Sequence, residues 1–181
     1  MYVIGIDPGK QTGFALWNTE TQQFKTVTSM AIHDALTEVE RVFVGMPLGI
    51  VIVEDARKRL GGFGNMDAEQ AKYGAGVREG VGAVKRDSTI WDDFLAARCI
   101  PHLMRKPKDT KLGADNFRRL TGWQGATNEH ARDAAGAVFG MTDAHVRLAL
   151  AERDMKQAEA LHKLKRSKRK APKRASSRAH A

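Results

Sequence analysis

Four side chains from three separate stretches of the sequence have the types and surroundings to do chemistry together: Asp7, Glu54, His130 and Asp133. Asp7 closes a mostly apolar strand, Tyr2 to Asp7, just before the turn pair Pro8-Gly9. Glu54 closes Ile50-Val51-Ile52-Val53, whose lack of alternation marks a strand buried on both faces. If those strands are parallel neighbours, the two carboxylates sit side by side at the carboxyl edge of one sheet, where α/β ligand sites form. Either acid alone reads as easily as a turn residue or a charge where a strand surfaces. Two acids converging on one sheet edge need an explanation.

The run Asn128-Glu129-His130-Ala131-Arg132-Asp133-Ala134-Ala135-Gly136 adds the other two groups. His130 and Asp133 share a helical face, and the small residues after Asp133 let that helix lie close against the sheet. By itself His130 is an ordinary exposed helix histidine; Asp133 beside it makes it a candidate ligand. Three carboxylates and one imidazole are hard-oxygen chemistry suited to Mg²⁺ or Mn²⁺. Two such ions, roughly 4 Å apart, clamp the attacking and leaving oxygens of a phosphodiester.

The elements that must position these groups follow from pattern. After Tyr2–Asp7, Thr12–Trp17 and Gln23–Thr28 read as strands joined by a polar hairpin turn. Ile32, Ala35, Leu36, Val39 and Phe43 recur at helical spacing. Residues 57–66 form a loop, since three glycines defeat regular structure. A helical region spans about 67–98, with a break expected near Asp87-Ser88, where Ser88 caps a second segment. Gly74, Gly76, Gly80 and Gly82 each cost that helix about 1 kcal/mol relative to Ala, which close packing would offset. Cys99–Arg105 reads as a strand, Asp115–Leu120 as a short helix ended by Gly122, and Thr127 to Leu161 as one long helix. The result is a mixed α/β domain: three antiparallel strands first, a parallel continuation, and flanking helices.

Composition bounds the class. The chain has 181 residues, 42% hydrophobic and 28% charged, with 30 Lys and Arg against 21 Asp and Glu. No apolar run approaches a membrane span, and no leader-like segment opens the chain. The expected location is therefore cytoplasmic. Cys99 is the lone cysteine, which excludes an internal disulfide, and it reads as a small buried hydrophobe. Nine basic residues and no acid fall between Lys163 and the end, leaving residues 1–162 with 21 basic and 21 acidic groups. The expectation is a neutral folded domain, 1–162, and a disordered basic tail, 163–181, with salt-sensitive attraction to nucleic acid. Lys168-Arg169-Lys170 with Lys173-Arg174 leaves a nuclear address open.

Gly5-Ile6-Asp7-Pro8-Gly9 with Thr12-Gly13, then Val51-Ile52-Val53-Glu54, then His130-Ala131-Arg132-Asp133-Ala134 together resemble the RuvC-type Holliday junction resolvases of the RNase H-like superfamily. The resemblance covers roughly residues 1–145. It implies an RNase H-like sheet with a long C-terminal helix, and a metal site of Asp7, Glu54, His130 and Asp133. Some members carry Asp where this chain has His130. It further implies two Mg²⁺ per site, with Mn²⁺ as a substitute, and a homodimer that nicks two opposed strands of a four-way DNA junction symmetrically. Such an enzyme acts in recombination and repair in a bacterial or phage-infected cell, at the nucleoid. The turn after Pro8-Gly9 is shorter than in the cellular enzymes and region 67–98 is longer, which suits a phage or otherwise divergent member.

DNA contacts are expected from Arg57, Lys58 and Arg59 beside the metals, with Phe63 on the glycine loop stacking on an unpaired base. Arg105, Lys106, Lys108 and Lys111 form a second cluster and Arg118 and Arg119 a third; each reads also as plain surface charge, and the resemblance favours Lys108 as a phosphate contact. It also places the glycine-bearing helix at the dimer interface. Three other readings stay open. One is the same chemistry on flaps, forks or RNA–DNA hybrids. Another is an actin-like ATP-binding domain, suggested by Asp7-Pro8-Gly9-Lys10-Gln11-Thr12 but too large for this length. The third is a non-catalytic DNA-binding protein.

Overall fold

The computed structural model describes residues 1–58, 75–107 and 111–170. Its sheet has five strands: β1 (Tyr2–Asp7), β2 (Gln11–Asn18), β3 (Gln23–Ala31), β4 (Leu48–Glu54) and β5 (His102–Arg105). They lie in the order β3-β2-β1-β4-β5. β1 pairs antiparallel with β2, and β2 with β3, while β4 runs parallel to β1 and β5 parallel to β4. This is the expected mixed sheet, antiparallel on one side and parallel on the other. The five helices are α1 (Ile32–Gly45), α2 (Ala75–Ala97), α3 (Ala114–Thr121), α4 (Glu129–Val138) and α5 (Asp143–Lys170).

Strand alternation sorts the core into two layers. Ile4, Ile6, Phe14, Leu16, Val51 and Val53 face α1 and α2, where Val39, Val42, Trp91 and Leu95 meet them. Val3, Ala15, Trp17, Ile50 and Ile52 face the other way, onto Phe117 of α3, the alanines of α4, and Val146 and Ala149 of α5. The run Ile50–Val53 is buried on both sides, as its lack of alternation implied.

Several expectations change. α2 is continuous through Asp87-Ser88, because the buried Ser88 hydroxyl donates to the Val84 carbonyl one turn back instead of capping a new helix. The expected helix from Thr127 to Leu161 is two helices. Gly140 takes a left-handed backbone (φ 76°), and the carbonyl of Met141 accepts the Trp17 indole N–H at 2.8 Å and a Gln22 amide N–H at 2.8 Å. Those bonds hold the chain in a corner no helix could make. Phe43 is partly exposed; Val42 takes the core position beside it. Cys99 is exposed and not buried, since it turns the chain out of α2 with φ 54°. α5 continues to Lys170, into the segment expected to be a disordered tail. Residues 67–74, Gly74 among them, and 171–181 lie outside the described residues.

α4 lies closer to the sheet than a helix with ordinary side chains could. A Cβ on Gly5 would fall on the carbonyl oxygen of Ala134, and one on Gly13 on that of His130. Ala131, Ala134 and Ala135 complete the contact with no side chain longer than a methyl group. Gly13→Ala must push α4 off β2, so overpacking should cost about 1–3 kcal/mol. The melting temperature should drop by at least about 3 °C in calorimetry, whereas Gly45→Ala, with open space around it, should move it far less.

Candidate active site

The glycine contact delivers the site. Asp7 shares the face of Gly5 and Val3 on β1, and Glu54 shares that of Ile52 and Ile50 on β4. Each stands one residue beyond the paired Ile6 and Val53. Asp7 also pairs across the sheet with Gly13, the residue on which His130's backbone rests. α4 starts at Asn128, whose side-chain oxygen accepts the N–H of Ala131 at 2.9 Å, while its amide donates to Ser29 on β3 at 2.6 Å. That cap fixes where the first turn stands over the sheet, and His130 Nδ1 then meets Asp7 Oδ2 at 2.8 Å.

Asp133, one turn along α4, is mostly buried and lies 3.5 Å from Lys111 Nζ, which also pairs with Glu129. Glu54 and Asp133 line one cavity of about 340 Å³ whose walls include Arg105, Lys106, Lys111 and Arg132. Arg132 is a structural anchor. Its guanidinium donates to the carbonyls of Leu112 (2.8 Å) and Thr127 (3.1 Å), pinning both ends of the α3 region against α4.

Burial holds the pKa of Asp7 above the ordinary carboxylate value, and the charge of Asp133 pushes the same way. The His130 hydrogen bond and Lys111 pull against them. A carboxylate kept in that state, with a second carboxylate and an imidazole beside it, is the environment a hard divalent cation relieves. The donor types fit Mg²⁺ or Mn²⁺. Among the described residues, however, no group of three or more His, Cys, Asp and Glu side chains is gathered closely enough to hold a metal ion as placed. Lys111 accounts for part of this, occupying Asp133 with its own charge.

The expected DNA contacts are divided. Arg57 is committed inside the protein: its guanidinium grips Asp55 at 2.7 and 3.0 Å and Asp92 at 2.8 Å. Lys58 donates to the Met104 carbonyl at 2.6 Å and stays partly exposed. Arg118 and Arg119 lie on the exposed side of α3, near Asp115 and bonded to Asn116 respectively. Arg59, Phe63 and Lys108 lie outside the described residues. Lys111 belongs to the carboxylate cluster, an assignment its sequence neighbourhood did not announce.

The sequence reading also missed a network beside Glu54. Fully buried Asp55 holds Arg57, Arg57 holds Asp92 of α2, and Asp92 meets His102 of β5 at 3.1 Å. Two acids just ahead of an Arg-Lys pair, in Glu54-Asp55-Ala56-Arg57-Lys58, were the available signal. The network ties the chain leaving β4 to α2 and β5, and so fixes the backbone that carries Glu54.

No protein-family model matches the chain, and no curated protein matches it. Among solved structures, T. thermophilus RuvC in complex with a Holliday junction substrate is similar, with 15% sequence identity and a TM-score of 0.48. The match covers 77% of this chain and 91% of that one. At that identity the likeness concerns the path of the backbone.

Asp7 and Asp55 should respond to pH with opposite signs. Burial disfavours ionised Asp55, but the hydrogen bonds and charge of Arg57 outweigh it and hold its pKa below the usual 3.8. Its contribution is present above that value and is lost as pH falls below it. Asp55→Asn should cost about 2 kcal/mol at neutral pH, less than the 3–5 of a fully buried pair because Arg57 reaches water, and the gap should close in strong acid. The pKa of Asp7 is raised, so its ionised form burdens the fold at neutral pH. In chelator, Asp7→Asn should raise the melting temperature by about 2–4 °C at pH 7, with little gain below pH 4. Melting curves of both variants from pH 3 to pH 8 decide both signs.

Proposed function

We propose that this chain is a divalent-metal-dependent endodeoxyribonuclease that resolves four-way DNA junctions as a homodimer, by symmetric hydrolytic nicks. The observation that carries the reading is the junction of β1, β4 and α4, where helix packing on Gly5 and Gly13 brings His130 onto Asp7 and sets Asp133 and Glu54 on one cavity. The three motifs quoted for the RuvC-type resemblance are the segments that meet there. An ATP-binding reading has no support in this geometry, since a second lobe is absent among the described residues.

Asp7, Glu54, His130 and Asp133 would hold the metal, which when bound supplies charge for the phosphate and an activated water. The chain's own residues do the remaining work. His130 donates to or accepts from Asp7 and orients that carboxylate, and its exposed position leaves the ring able to reach a ligand on the solvent side. Lys111 neutralises Asp133 and Glu129 in the free protein, and its flexible stem lets it swing to a phosphate when a cation takes over that role. Arg105 and Lys106, on the cavity wall, would meet the phosphates flanking the cut.

A second copy is part of the proposal because a four-way junction offers two equivalent strands to two equivalent sites. Among the described residues, no other part of the protein comes within 4 Å of where a Cβ on Gly82 of α2 would be, which suits close approach of a partner there. The expected place of action is the cytoplasm, on replicating or recombining DNA.

The test is cleavage of a synthetic four-way junction in Mg²⁺ beside linear duplex, flap and RNA–DNA hybrid. Paired nicks at opposed positions on the junction support the proposal; preferential cutting of flaps or hybrids overturns the junction assignment while keeping the chemistry. Asp7→Asn should lower the cleavage rate at least about 10²-fold and leave junction binding equal or tighter. Ordinary nicking by that variant would remove Asp7 from the site. His130→Asp should retain more activity than His130→Ala, since a carboxylate also binds Mg²⁺; equal rates would remove His130 as a ligand.

A further inference from the structure

The basic segment expected to be a tail begins as the end of a rigid helix, and the direction of that helix is set by the fold. α5 starts at the amino edge of the sheet, where Asp143 accepts the Thr19 hydroxyl at 2.5 Å and lies 3.9 Å from the terminal amine of Met1. Val146 then packs beside Gly49 at the start of β4. Two turns later Glu152 meets Arg105, the last residue of β5, at 3.7 Å. α5 therefore runs alongside β4 and β5 in their own direction, toward the edge that carries Asp7 and Glu54.

It does not stop there. From Asp154 to Lys163 every residue is exposed, whichever way it points, so the helix has left the body. The 18 steps from Glu152 to Lys170 span about 27 Å at 1.5 Å per residue. Glu159 is the last acid; Lys163, Lys165 and Arg166 follow in exposed positions. An isolated helix of this polarity gains nothing from burial and carries unopposed positive charge.

We infer that the distal half of α5 is an arm that lies along duplex DNA leaving the candidate active site. The inference rests on the nuclease reading for its substrate, but the observations that carry it are the direction of α5, its clearance from the body, and its charge. Duplex DNA is the chosen occupant by charge complementarity, with one phosphate about every 1.7 Å of axis facing a cationic rod. An anionic membrane fits less well, because an interfacial helix needs a broad apolar or aromatic face, and no aromatic residue follows Phe139. A flexible tail would attract DNA from any direction. A helical arm fixed to β5 reaches only the DNA on one side of the cut.

The experiment compares the full chain with Lys163→Gln/Lys165→Gln/Arg166→Gln, and with a third protein carrying Gly-Ser-Gly-Gly inserted after Gln157, which keeps the charge but frees the arm. Binding to a four-way junction is measured across a salt series, with hydroxyl-radical footprints of each complex. The full chain should protect about 8 base pairs beyond the cleavage position on one arm, the length of helix available. The triple variant should lose that protection and flatten the slope of log affinity against log salt by about 2 to 3, at 0.9 per phosphate. The insertion variant should keep the slope and lose the protection.

An unchanged slope and footprint in the triple variant would overturn the arm and leave the nuclease reading standing. A footprint retained by the insertion variant would also overturn it, since rigidity would then be irrelevant. So would tighter binding to phosphatidylserine vesicles than to duplex DNA. Loss of the footprint as expected, in a protein that cleaves nothing in Mg²⁺, would keep the arm and sink the nuclease.

Discussion

The closeness of α4 to the sheet is the constraint on which the rest depends. A helix normally stands off a sheet by the length of the side chains between them, and groups on the two surfaces then miss one another. Here Gly5 and Gly13 remove the strand side chains, and Ala131, Ala134 and Ala135 shorten those of the helix. Backbone meets backbone over β1 and β2. The first turn of α4 can then place His130 within hydrogen-bonding distance of a carboxylate on the central strand. The arrangement leaves no slack, because interiors transmit a one-methyl change instead of absorbing it. Asn128, bonded forward to Ala131 and sideways to Ser29, holds the same turn from its other end.

Gathering negative charge at such a site is costly, and the surrounding cations show how the cost is managed. Asp7 bears its burden directly, with its pKa raised by burial and by Asp133. Asp133 is matched by Lys111. Asp55, next to Glu54 in sequence but wholly buried, is matched by Arg57, which would otherwise have been the obvious hand for a phosphate. Arginine suits that place because its planar fork satisfies two carboxylates at once. The carboxylates thus differ in their partners: a guanidinium on Asp55, an ammonium on Asp133 and an imidazole on Asp7.

How much of this was legible in the sequence follows from what each signal encodes. β4 announced itself because four consecutive β-branched residues have few other homes, and the strand-end acids followed from it. The glycine-to-helix contact was legible only as motif letters, since a sequence states that Gly13 is small but not what presses on it. The break at Phe139–Thr142 escaped because the surrounding residues favour helix; a tertiary bond from Trp17 to the Met141 carbonyl overrides them. Cys99 misled for a similar reason, a chain reversal demanding a left-handed residue where composition suggested a core one. Arg57 was not legible as an internal anchor because charge alone does not reveal whether its partner is the solvent, a ligand or a neighbour.

A nuclease site faces two attractions that oppose each other. It must hold a cation, which calls for negative potential, and it must receive a polyanion, which calls for positive potential. Spreading cations evenly over the body would satisfy the second by weakening the first, since charges within a Debye length of about 8–10 Å are felt together. In this chain residues 1–162 carry equal numbers of basic and acidic groups, and the whole net charge lies beyond them. The helix that begins this cationic segment continues past Glu152, so Lys163 stands about 16 Å along its axis from the contact with Arg105, more than that screening length. On the nuclease reading proposed above, long-range attraction and local metal affinity would then be set independently, one by the far end of a helix and the other by four side chains at a sheet edge.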